Sequence, residues 1–461
     1  MRSQNKENSK GLKIKGKKIL ILGLARTGAA SARLCCGLGA KVLVSDIKGE
    51  EELKEYIRML EGVNVEFFLG SHTESLLEGV DLIVVSPGIP GSIPLLVKAR
   101  SLGIEVISEI ELAYNFLKSP VIAITGTNGK TTTTKLIKEI LTEGGYKAIS
   151  AGNIGNPLSG IPLDSSEYDY LVVEVSSFQL EGIINFKPFI SLILNVTPDH
   201  LDRYRNIDEY AETKFRIFEK QGKGDFLILN YDDPMLRELK PQGDFSILYF
   251  STKDAVIKGS YIEGDQIITR FGSTAKTVCP VSEVKLEGLH NLENVLAAIT
   301  ACSICEVTPD RIREALKKFK PPHHRMEFVR ELNGVRFIDD SKGTNVGAVI
   351  KSLMSYSSPV ILIAGGRDKN GDFFSLRDLV KSKVKSLVLL GEAKEKIKKS
   401  LGDIARTIDA CSMEDAVRKS YAAASQGDVV LLSPGCASFD MFSSYEERGQ
   451  VFKKAVMELN N

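Results

Sequence analysis

The residues with the clearest chemical meaning lie in one stretch, where the apolar run Val121–Ile124 leads into Thr125-Gly-Thr-Asn-Gly-Lys-Thr131. The apolar run predicts a buried strand, and the pattern from Thr132 to about Leu141 predicts a helix. A glycine loop between a strand and a helix is the setting that a phosphate-binding loop requires. The loop is tighter than the standard form, so a glycine-rich turn with a chance lysine is the competing interpretation.

Each residue type in this loop suits the binding of a nucleoside triphosphate. Gly126 and Gly129 can adopt the positive φ that turns backbone N–H groups toward an anion. The start of the following helix adds partial positive charge. Lys130 supplies a cation for the outer phosphates, and the hydroxyl of Thr131 can bind Mg²⁺. The sequence therefore predicts a nucleoside triphosphate bound together with Mg²⁺.

Polar residues follow two later strands of the same predicted sheet. The run Tyr170–Val173 leads into Glu174, and a carboxylate at such a strand end suits Mg²⁺. The run Ile190–Leu194 leads into a polar segment that ends at His200, which could bind a metal or orient a substrate. A solvated edge carboxylate and a structural histidine are the alternatives. Three strand ends that meet at one edge favour a functional site.

Two further positions remain ambiguous on spacing alone. Lys214 lies in a predicted helix, where a solvated lysine is the default interpretation. Asn291 and Asn294 share one face of another predicted helix because they are three residues apart. Their amides could bind the edge of an adenine base, and a helix cap explains them nearly as well.

Composition and charge exclude several classes of protein. The chain of 461 residues is too long for one core, and its net charge of +1 gives no overall case for nucleic-acid binding. No apolar run reaches the length of a membrane span. The seven cysteines lack adjacent histidines, which argues against zinc and suits a reducing cytoplasm. We expect a cytoplasmic monomer with no nucleic-acid partner and no membrane insertion.

The first part of the chain resembles a dinucleotide-binding unit. The strand Lys18–Leu22 precedes Gly23-Leu-Ala-Arg-Thr-Gly28, and the strand after the next helix ends at Asp46. Ala25 replaces the middle glycine of the fingerprint, which weakens the case for NAD. A nucleotide diphosphate could still bind there, near Asp46 or Lys48, and an ordinary βαβ turn is the alternative.

Strands that alternate with helices predict an α/β protein with three domains. We expect a Rossmann-like N-terminal domain, a central P-loop ATPase-like domain with a parallel sheet, and a Rossmann-like C-terminal α/β domain. The stretch Phe245–Lys285 suggests an antiparallel appendage, and a linker is expected near Lys320. The polar N-terminus has no apolar signal segment and predicts a disordered basic tail. The predicted bounds are 1–17 for the tail and 18–112, 113–320 and 321–461 for the domains.

These stretches together resemble the Mur ligases, the ATP-dependent enzymes that add amino acids to peptidoglycan precursors. The similarity covers nearly the whole chain after about Lys18, and six motifs in a fixed order are highly specific. The motifs are Ile124-Thr-Gly-Thr-Asn-Gly-Lys-Thr-Thr132, Glu174-Val-Ser-Ser-Phe-Gln179, Asn195-Val-Thr-Pro-Asp-His200, His290-Asn-Leu-Glu-Asn294, His324-Arg325 and Asp340-Ser-Lys-Gly-Thr-Asn345. The C-terminal pattern Leu432–Asp440 is similar to that of the family branch that adds D-glutamate.

The resemblance implies a reaction and its participants. ATP would phosphorylate the terminal carboxylate of UDP-MurNAc-L-Ala, and the amine of D-glutamate would attack the acyl phosphate. Two Mg²⁺ sites are implied, at which Mn²⁺ could also bind. The implied metal ligands are Thr131, Glu174, His200 and Lys214, the last as a carbamate formed with CO₂. The implied catalytic residues are Lys130, His200 and Lys214.

The resemblance also implies three sets of binding residues. Those for ATP are Gly126, Asn128, Gly129, Lys130, Thr131, Thr132, Asn291, Asn294, His324, Arg325, Asp340 and Lys342. Those for the UDP-linked substrate are Arg26, Thr27, Asp46, Lys48, Ser86, Gly88, Asn153 and Ser176. Those for D-glutamate are Thr344, Lys369, Ser438 and Tyr445, where Tyr445 stands in place of the family's phenylalanine.

Three other functions compete with this interpretation. A sister ligase, for L-alanine or for folate polyglutamation, shares the ATP site but differs in the first domain and the amino-acid pocket. A nucleotide-binding regulator without hydrolysis is opposed by the presence of Lys130, Glu174, His200 and Lys214 together. An NAD oxidoreductase is opposed by Ala25.

Overall fold

The computed structural model describes residues 11–162, 167–201, 203–286, 288–321 and 323–460. These residues form three mainly parallel sheets, each built from a separate stretch of chain and covered by helices. The predicted α/β class with three domains is confirmed. The bounds of the predicted domains remain predictions. No helix in the described ranges is long and apolar enough to cross a membrane.

The first sheet has five parallel strands in the order β3-β2-β1-β4-β5. Its strands are β1 (Lys18–Leu22), β2 (Lys41–Asp46), β3 (Val65–Leu69), β4 (Leu82–Val85) and β5 (Glu105–Ser108). Its helices are α1 (Arg26–Gly37), α2 (Glu50–Arg58), α3 (Pro94–Ser101) and α4 (Glu109–Tyr114). The strand order reverses between β1 and β4, where a doubly wound sheet binds its ligands.

The first core includes a residue from the stretch predicted to be a disordered tail. The predicted tail covers residues 1–17, of which residues 1–10 lie outside the described part of the chain. Ile14 is only 2% exposed and packs with Ile19, Ile21 and other buried residues of this domain. The amide of Gly16 also donates to the carbonyl of Gly39. Residues 11–17 are therefore part of the folded domain, because burying Ile14 removes its apolar surface from water.

The central sheet has nine strands in the order β14-β13-β12-β11-β10-β9-β6-β8-β7. Its strands are β6 (Val121–Thr125), β7 (Ala148–Gly152), β8 (Tyr170–Glu174), β9 (Ile190–Ile193), β10 (Phe226–Asn230), β11 (Ser246–Ser251), β12 (Gly259–Glu263), β13 (Gln266–Phe271) and β14 (Thr274–Pro280). Its helices are α5 (Lys130–Glu143), α6 (Ser177–Leu180), α7 (Ile207–Phe215), α8 (Pro234–Glu238), α9 (Leu289–Ile304) and α10 (Pro309–Lys318). Alternating residues of β6 pack into two separate hydrophobic clusters, one on each face.

The predicted antiparallel appendage is wrong in part. Strand β11 pairs in parallel with β10, and β12 pairs in parallel with β11, so both continue the central sheet. Only the β12-β13-β14 meander is antiparallel. The side chains of Leu248 and Phe250 are buried in the same cluster as α9, and this packing holds β11 against the sheet. Alternating short runs indicate strands but do not distinguish parallel from antiparallel pairing.

The third sheet has six strands in the order β15-β16-β20-β17-β18-β19. Its strands are β15 (Glu327–Leu332), β16 (Val335–Asp339), β17 (Val360–Gly365), β18 (Val384–Leu390), β19 (Arg406–Asp409) and β20 (Val429–Leu432). Its helices are α11 (Val346–Met354), α12 (Arg377–Lys383), α13 (Lys394–Leu401), α14 (Met413–Ala423) and α15 (Tyr445–Met457). Only β15 is antiparallel, and it meets β16 through the turn at Asn333 and Gly334, both of which have positive φ.

We predict that Ile14→Ala destabilises the first domain by about 2–5 kcal/mol, because it leaves a cavity in that core. Urea denaturation followed by circular dichroism measures this change. The control is Lys13→Ala, since Lys13 is exposed and its replacement should change stability by no more than about 0.5 kcal/mol. Equal stabilities for the two variants would contradict the packing of this segment onto the domain.

Candidate active site

The phosphate loop follows β6 and has the backbone geometry that the glycines predict. Gly126 has φ 145° and Gly129 has φ 89°, both outside the range that side chains favour. The Nζ atom of Lys130 donates to the carbonyls of Gly126 and Thr127 at 2.8 and 2.9 Å. Burial lowers the pKa of Lys130, against the opposing effect of Glu174. This loop therefore holds its lysine beside its own backbone, ready to contact an anion.

The segment after β9 fixes this loop by reciprocal hydrogen bonds. The amide N–H of Asn128 donates to Asn195 Oδ1 at 2.9 Å, and Asn195 Nδ2 donates to the carbonyl of Asn128 at 3.1 Å. The hydroxyl of Thr127 donates to the carbonyl of Thr197 at 3.1 Å and accepts from the amide of Thr197 at 3.0 Å. The motif Asn195–His200 therefore shapes the loop as well as contributing side chains of its own.

Glu174 at the end of β8 has the character of a metal ligand. It is 2% exposed, and its Oε1 accepts a hydrogen bond from Asn153 Nδ2 at 2.9 Å. Its Oε2 atom is buried and has no hydrogen-bond partner among the described residues. A buried carboxylate oxygen left in this way is costly unless a cation or donor reaches it. Glu174 lies where β8 ends beside β6 and the phosphate loop, a place that we call the metal corner. Its donor atoms fit a divalent cation.

Lys214 is the most unusual group at this corner. Its side chain is 1% exposed, its Nζ donates to the carbonyl of Gly126 at 3.2 Å, and it lies 4.2 Å from the centre of the Tyr210 ring. Burial lowers its pKa well below the ordinary value, and the charge of Lys130 lowers it further. Desolvation thus favours the neutral amine, which is the form that can attack CO₂.

A cleft of about 430 Å³ lies between the central and third domains beside the phosphate loop. Eight residues expected to bind ATP line it, and they come from both domains: Asn128, Gly129, Thr132, Asn291, Asn294, Arg325, Asp340 and Lys342. Five lining residues were not among the predicted site residues: His290, Gly343, Ala348, Lys351 and Ser352. His290 was visible in the motif around Asn291, whereas Lys351 and Ser352 lie on α11 and carried no sequence signal.

Several charged groups at this cleft have shifted pKa values. Burial raises the pKa of Asp340 to about 6, although its Oδ2 accepts hydrogen bonds from Ser352 and Ser433. Burial and the nearby Arg325 lower the pKa of Lys342 to about 7. The Nζ of Lys342 lies 3.7 Å from the centre of the Tyr445 ring. The cleft therefore presents cations that an anionic ligand would stabilise in their charged form.

His324 does not line the cleft, although it was predicted to contact ATP. It is 4% exposed, and its Nδ1 lies 2.6 Å from Asp339 Oδ2. His324 forms with Glu327 and Asp339 a group that could hold a metal, but Lys453 Nζ lies 2.6 Å from Glu327 Oε1. This lysine already neutralises the carboxylate, so the group is a buried hydrogen-bonded and charge-paired cluster rather than an open metal site.

The expected D-glutamate residues all lie at the carboxyl edge of the third sheet. Thr344 follows β16, Lys369 follows β17, Ser438 follows β20 and Tyr445 begins α15. Lys369 Nζ lies 3.6 Å from Oδ1 of Asp199 in the central domain. Burial alone would raise the pKa of Asp199, but Lys369 and His200 hold it below its ordinary value.

One asparagine joins the two domains at this point. Nδ2 of Asn345 donates to Asp199 Oδ2 at 2.9 Å and to Asn128 Oδ1 at 3.3 Å. Asn345 also caps α11, since its Oδ1 accepts from the amide of Ala348 at 2.8 Å. Neither Asp199 nor Asn345 was among the predicted site residues, although both stand in the motifs that the sequence provided.

The expected residues for the UDP-linked substrate lie at or just after the carboxyl ends of strands in two sheets. Those of the first domain are Arg26, Thr27, Asp46, Lys48, Ser86 and Gly88, and those of the central domain are Asn153 and Ser176. Asp46 accepts from the amides of Leu24 and Lys48 at 2.7 and 2.9 Å. The hydroxyl of Ser86 donates to the carbonyl of Gly23 at 3.0 Å. Asp46 and Ser86 thus shape the nucleotide loops through backbone contacts.

Three protein-family models match the chain, one for each of its three domains. The family model described as Mur ligase MurD-like, N-terminal domain, matches residues 17–108. The Mur ligase middle domain matches residues 124–302, and the Mur ligase glutamate ligase domain matches residues 324–436. The chain belongs to the Mur ligase family. The resemblance stated from the sequence motifs is confirmed.

Individual Mur ligases extend this finding over nearly the whole chain. A UDP-N-acetylmuramoylalanine--D-glutamate ligase of Geotalea daltonii is 46% identical over 449 residues, which cover 97% of this chain and 99% of that one. A protein of the same name from Thermoanaerobacter pseudethanolicus is 43% identical over 452 residues, covering 97% and 100%.

Solved structures of Mur ligases share the fold at low sequence identity. A pseudomurein peptide ligase type C from Methanothermus fervidus has a TM-score of 0.60 at 22% identity, covering 95% of this chain and 100% of that one. A MurF ligase from Thermotoga maritima in complex with ADP has a TM-score of 0.60 at 17% identity, covering 91% and 95%. These similarities support the three-domain architecture.

We predict that Gly129→Ala weakens ATP binding at least about 10-fold, a loss of about 1.4 kcal/mol. A Cβ atom there would lie 2.2 Å from Asn294 Oδ1, so the loop or the asparagine must move. The matched control is Gly145→Ala, because Gly145 has the same φ of 89° but no heavy atom within 4 Å of the added Cβ. Calorimetric titration with ATP measures the ATP affinity of both variants. Equal losses of affinity would assign the effect to backbone strain at positive φ rather than to the clash with Asn294.

Proposed function

We propose that this protein is an ATP-dependent ligase that joins D-glutamate to UDP-N-acetylmuramoyl-L-alanine in peptidoglycan precursor synthesis. The substrates are small molecules, and the proposal places the reaction in the cytoplasm with the chain acting as a monomer. D-Glutamate is supported by the similarity to the ligase of that name from Geotalea daltonii, which is 46% identical over 449 residues.

The observation that carries the ATP-dependent step is the cleft between two domains. It joins the phosphate loop at Gly129 to Arg325, Asp340 and Lys342 of the third domain. Adenine would lie against Asn291 and the other lining residues of α9. A triphosphate would lie along the loop, where backbone N–H groups, Lys130 and the start of α5 favour negative charge.

The residues at the neighbouring corner fit divalent cations. Thr131, Glu174, His200 and carbamylated Lys214 would hold two ions, Mg²⁺ or Mn²⁺, and the unpartnered Oε2 of Glu174 supports this assignment. When bound, such ions neutralise the negative charge of phosphoryl transfer. A neutral amine offers one uncharged nitrogen, whereas a carbamate offers the charged oxygen atoms that Mg²⁺ prefers as ligands. Burial lowers the pKa of Lys214, which favours the amine form that attacks CO₂ to form this carbamate.

The chain's own side chains provide binding and orientation. Lys130 stabilises the charge that develops on the transferred phosphoryl group. The substrate carboxylate attacks the γ-phosphorus of ATP, ADP leaves, and an acyl phosphate forms. The amine of D-glutamate then attacks the acyl carbon and phosphate leaves. Lys369 pairs with a carboxylate of D-glutamate. The pocket is completed by Thr344, Ser438 and Tyr445. Holding both reactants together in the right orientation can lower the activation barrier by about 7–11 kcal/mol.

The direct test measures phosphate release from ATP in the presence of UDP-N-acetylmuramoyl-L-alanine. D-Glutamate, L-glutamate, L-alanine and L-lysine are added in separate reactions, and the amide product is counted by mass spectrometry. We expect release only with D-glutamate, with one amide formed per phosphate. Release with another amino acid would keep the ATP site and replace D-glutamate in the proposal. No release with any amino acid would favour a nucleotide-binding regulator.

We predict that Lys214→Ala abolishes ligation and that short carboxylic acids such as acetate or formate restore part of it. The added carboxylate would fill the place of the carbamate, which the alanine side chain cannot form. The assay is amide formation with and without the acid, and Lys220→Ala, an exposed lysine, is the control. Full activity of Lys214→Ala in buffer freed of CO₂ would remove the carbamate from the mechanism.

A further inference from the structure

The first and central domains meet at a loop that follows β4. The loop consists of residues 86–90, Ser86-Pro-Gly-Ile-Pro90. We call it the substrate loop because Ser86 and Gly88 are expected to contact the UDP-linked substrate. A cavity of about 400 Å³ lies beside the loop and is lined in part by Ile89, Phe178 and Arg203. The loop of the first domain and the side chains of Phe178 and Arg203 in the central domain therefore face each other here.

Arg203 supplies hydrogen bonds that hold the loop. Its Nη1 donates to the carbonyl of Pro87 at 3.2 Å, and its Nη2 donates to the carbonyl of Ile89 at 3.3 Å. The guanidinium is fixed by Glu181, which accepts from Nε at 3.0 Å and from Nη2 at 2.5 Å. Tyr204 donates a further hydrogen bond to Glu181 at 2.7 Å. The side chain of Arg203 is only 16% exposed, and its two bonds to the loop carbonyls are partly buried, whereas Glu181 is reached by solvent.

The same arginine supports the candidate metal ligand His200. The Arg203 guanidinium lies 4.1 Å from the centre of the Phe178 ring, and the His200 ring lies 4.8 Å from that ring in an edge-to-face arrangement. The backbone completes the connection, because the amides of Arg203 and Tyr204 both donate to the carbonyl of His200. His200 itself has φ 55°, a conformation that its surroundings must maintain.

We propose that Arg203 is a positioning residue that couples the substrate loop of the first domain to His200 at the metal corner. This inference rests on the proposed function, since it concerns the UDP-linked substrate of that reaction. Binding of this substrate fixes the loop, the loop fixes the guanidinium, and the guanidinium fixes His200 through Phe178. Occupancy of the UDP-substrate site and affinity for the divalent cation then change together.

The coupling predicts a specific kinetic signature for Arg203→Ala. We expect the KM for the UDP-linked substrate to rise about 10-fold, because hydrogen bonds from a charged donor are lost. The Mg²⁺ requirement should also rise by about 3-fold or more. It is measured both as the concentration that gives half-maximal activity and, without turnover, as the Kd for Mn²⁺ determined by electron paramagnetic resonance. The KM values for ATP and D-glutamate should stay within about twofold of the wild-type values, since Arg203 contacts neither site.

Two matched variants separate this role from general damage. Arg205→Ala is the control, because Arg205 lies in the same segment but is exposed and pairs only with Glu209 among the contacts described. Phe178→Leu removes the aromatic ring between Arg203 and His200 and should raise the Mg²⁺ requirement without a comparable rise in the substrate KM. The double variant Phe178→Leu/Arg203→Ala should require no more Mg²⁺ than the more affected single variant, because both residues act on His200 through the same contact.

The outcomes distinguish the inference from the function on which it rests. Active wild type and Arg205→Ala, with an unchanged Mg²⁺ requirement in Arg203→Ala, would overturn the coupling and leave the proposed function intact. Equal rises in the KM values for the UDP-linked substrate, ATP and D-glutamate would overturn the coupling, because they would show that Arg203 only maintains the fold. If Arg203→Ala does not fold, Arg203→Gln is judged by the same criteria. A wild-type protein without ligase activity would remove the function and the inference together.

Discussion

Two buried lysines share one backbone carbonyl, and the active site depends on this contact. Lys130 and Lys214 both donate to the oxygen of Gly126, at 2.8 and 3.2 Å. Two ammonium groups this close in a buried place repel strongly, so burial and mutual repulsion lower the pKa of Lys214. In the proposed reaction, a phosphate near Lys130 and a carbamate on Lys214 would both relieve that repulsion.

The sequence predicted the parts of this arrangement that follow from local chemistry. The run from Val121 to Lys130 has a buried strand, two glycines and a helix start, so its fold and its ligand follow from residues in one stretch. Glu174 and His200 were predicted because parallel strands place their carboxyl ends at one edge. Lys214 was assigned through the family resemblance alone, since its burial depends on packing that spacing does not reveal.

The remaining features depend on contacts between distant segments. His324 was expected at the nucleotide, but its ring bonds to Asp339 and lies against Gly449, where an added Cβ would be 2.1 Å from Nδ1. No local pattern shows which residue of a His-Arg pair faces the ligand. The parallel pairing of β11 and β12 was missed because side-chain alternation is the same in both strand directions. Arg203 gave no signal, since its partners lie on two other segments.

The separation of the hydrophobic clusters has a consequence for cooperativity. Among the described residues, the clusters of the third sheet contain none from the other two domains, and α4 with the residues just after it contributes to both the first and the central clusters. We expect such a chain to unfold in units rather than as one, in which case a single melting temperature does not describe it. A nucleotide in the cleft contacts two units at once and must raise their stability together. Calorimetric transitions that merge when ATP is added would therefore report which parts of the chain close on the ligand.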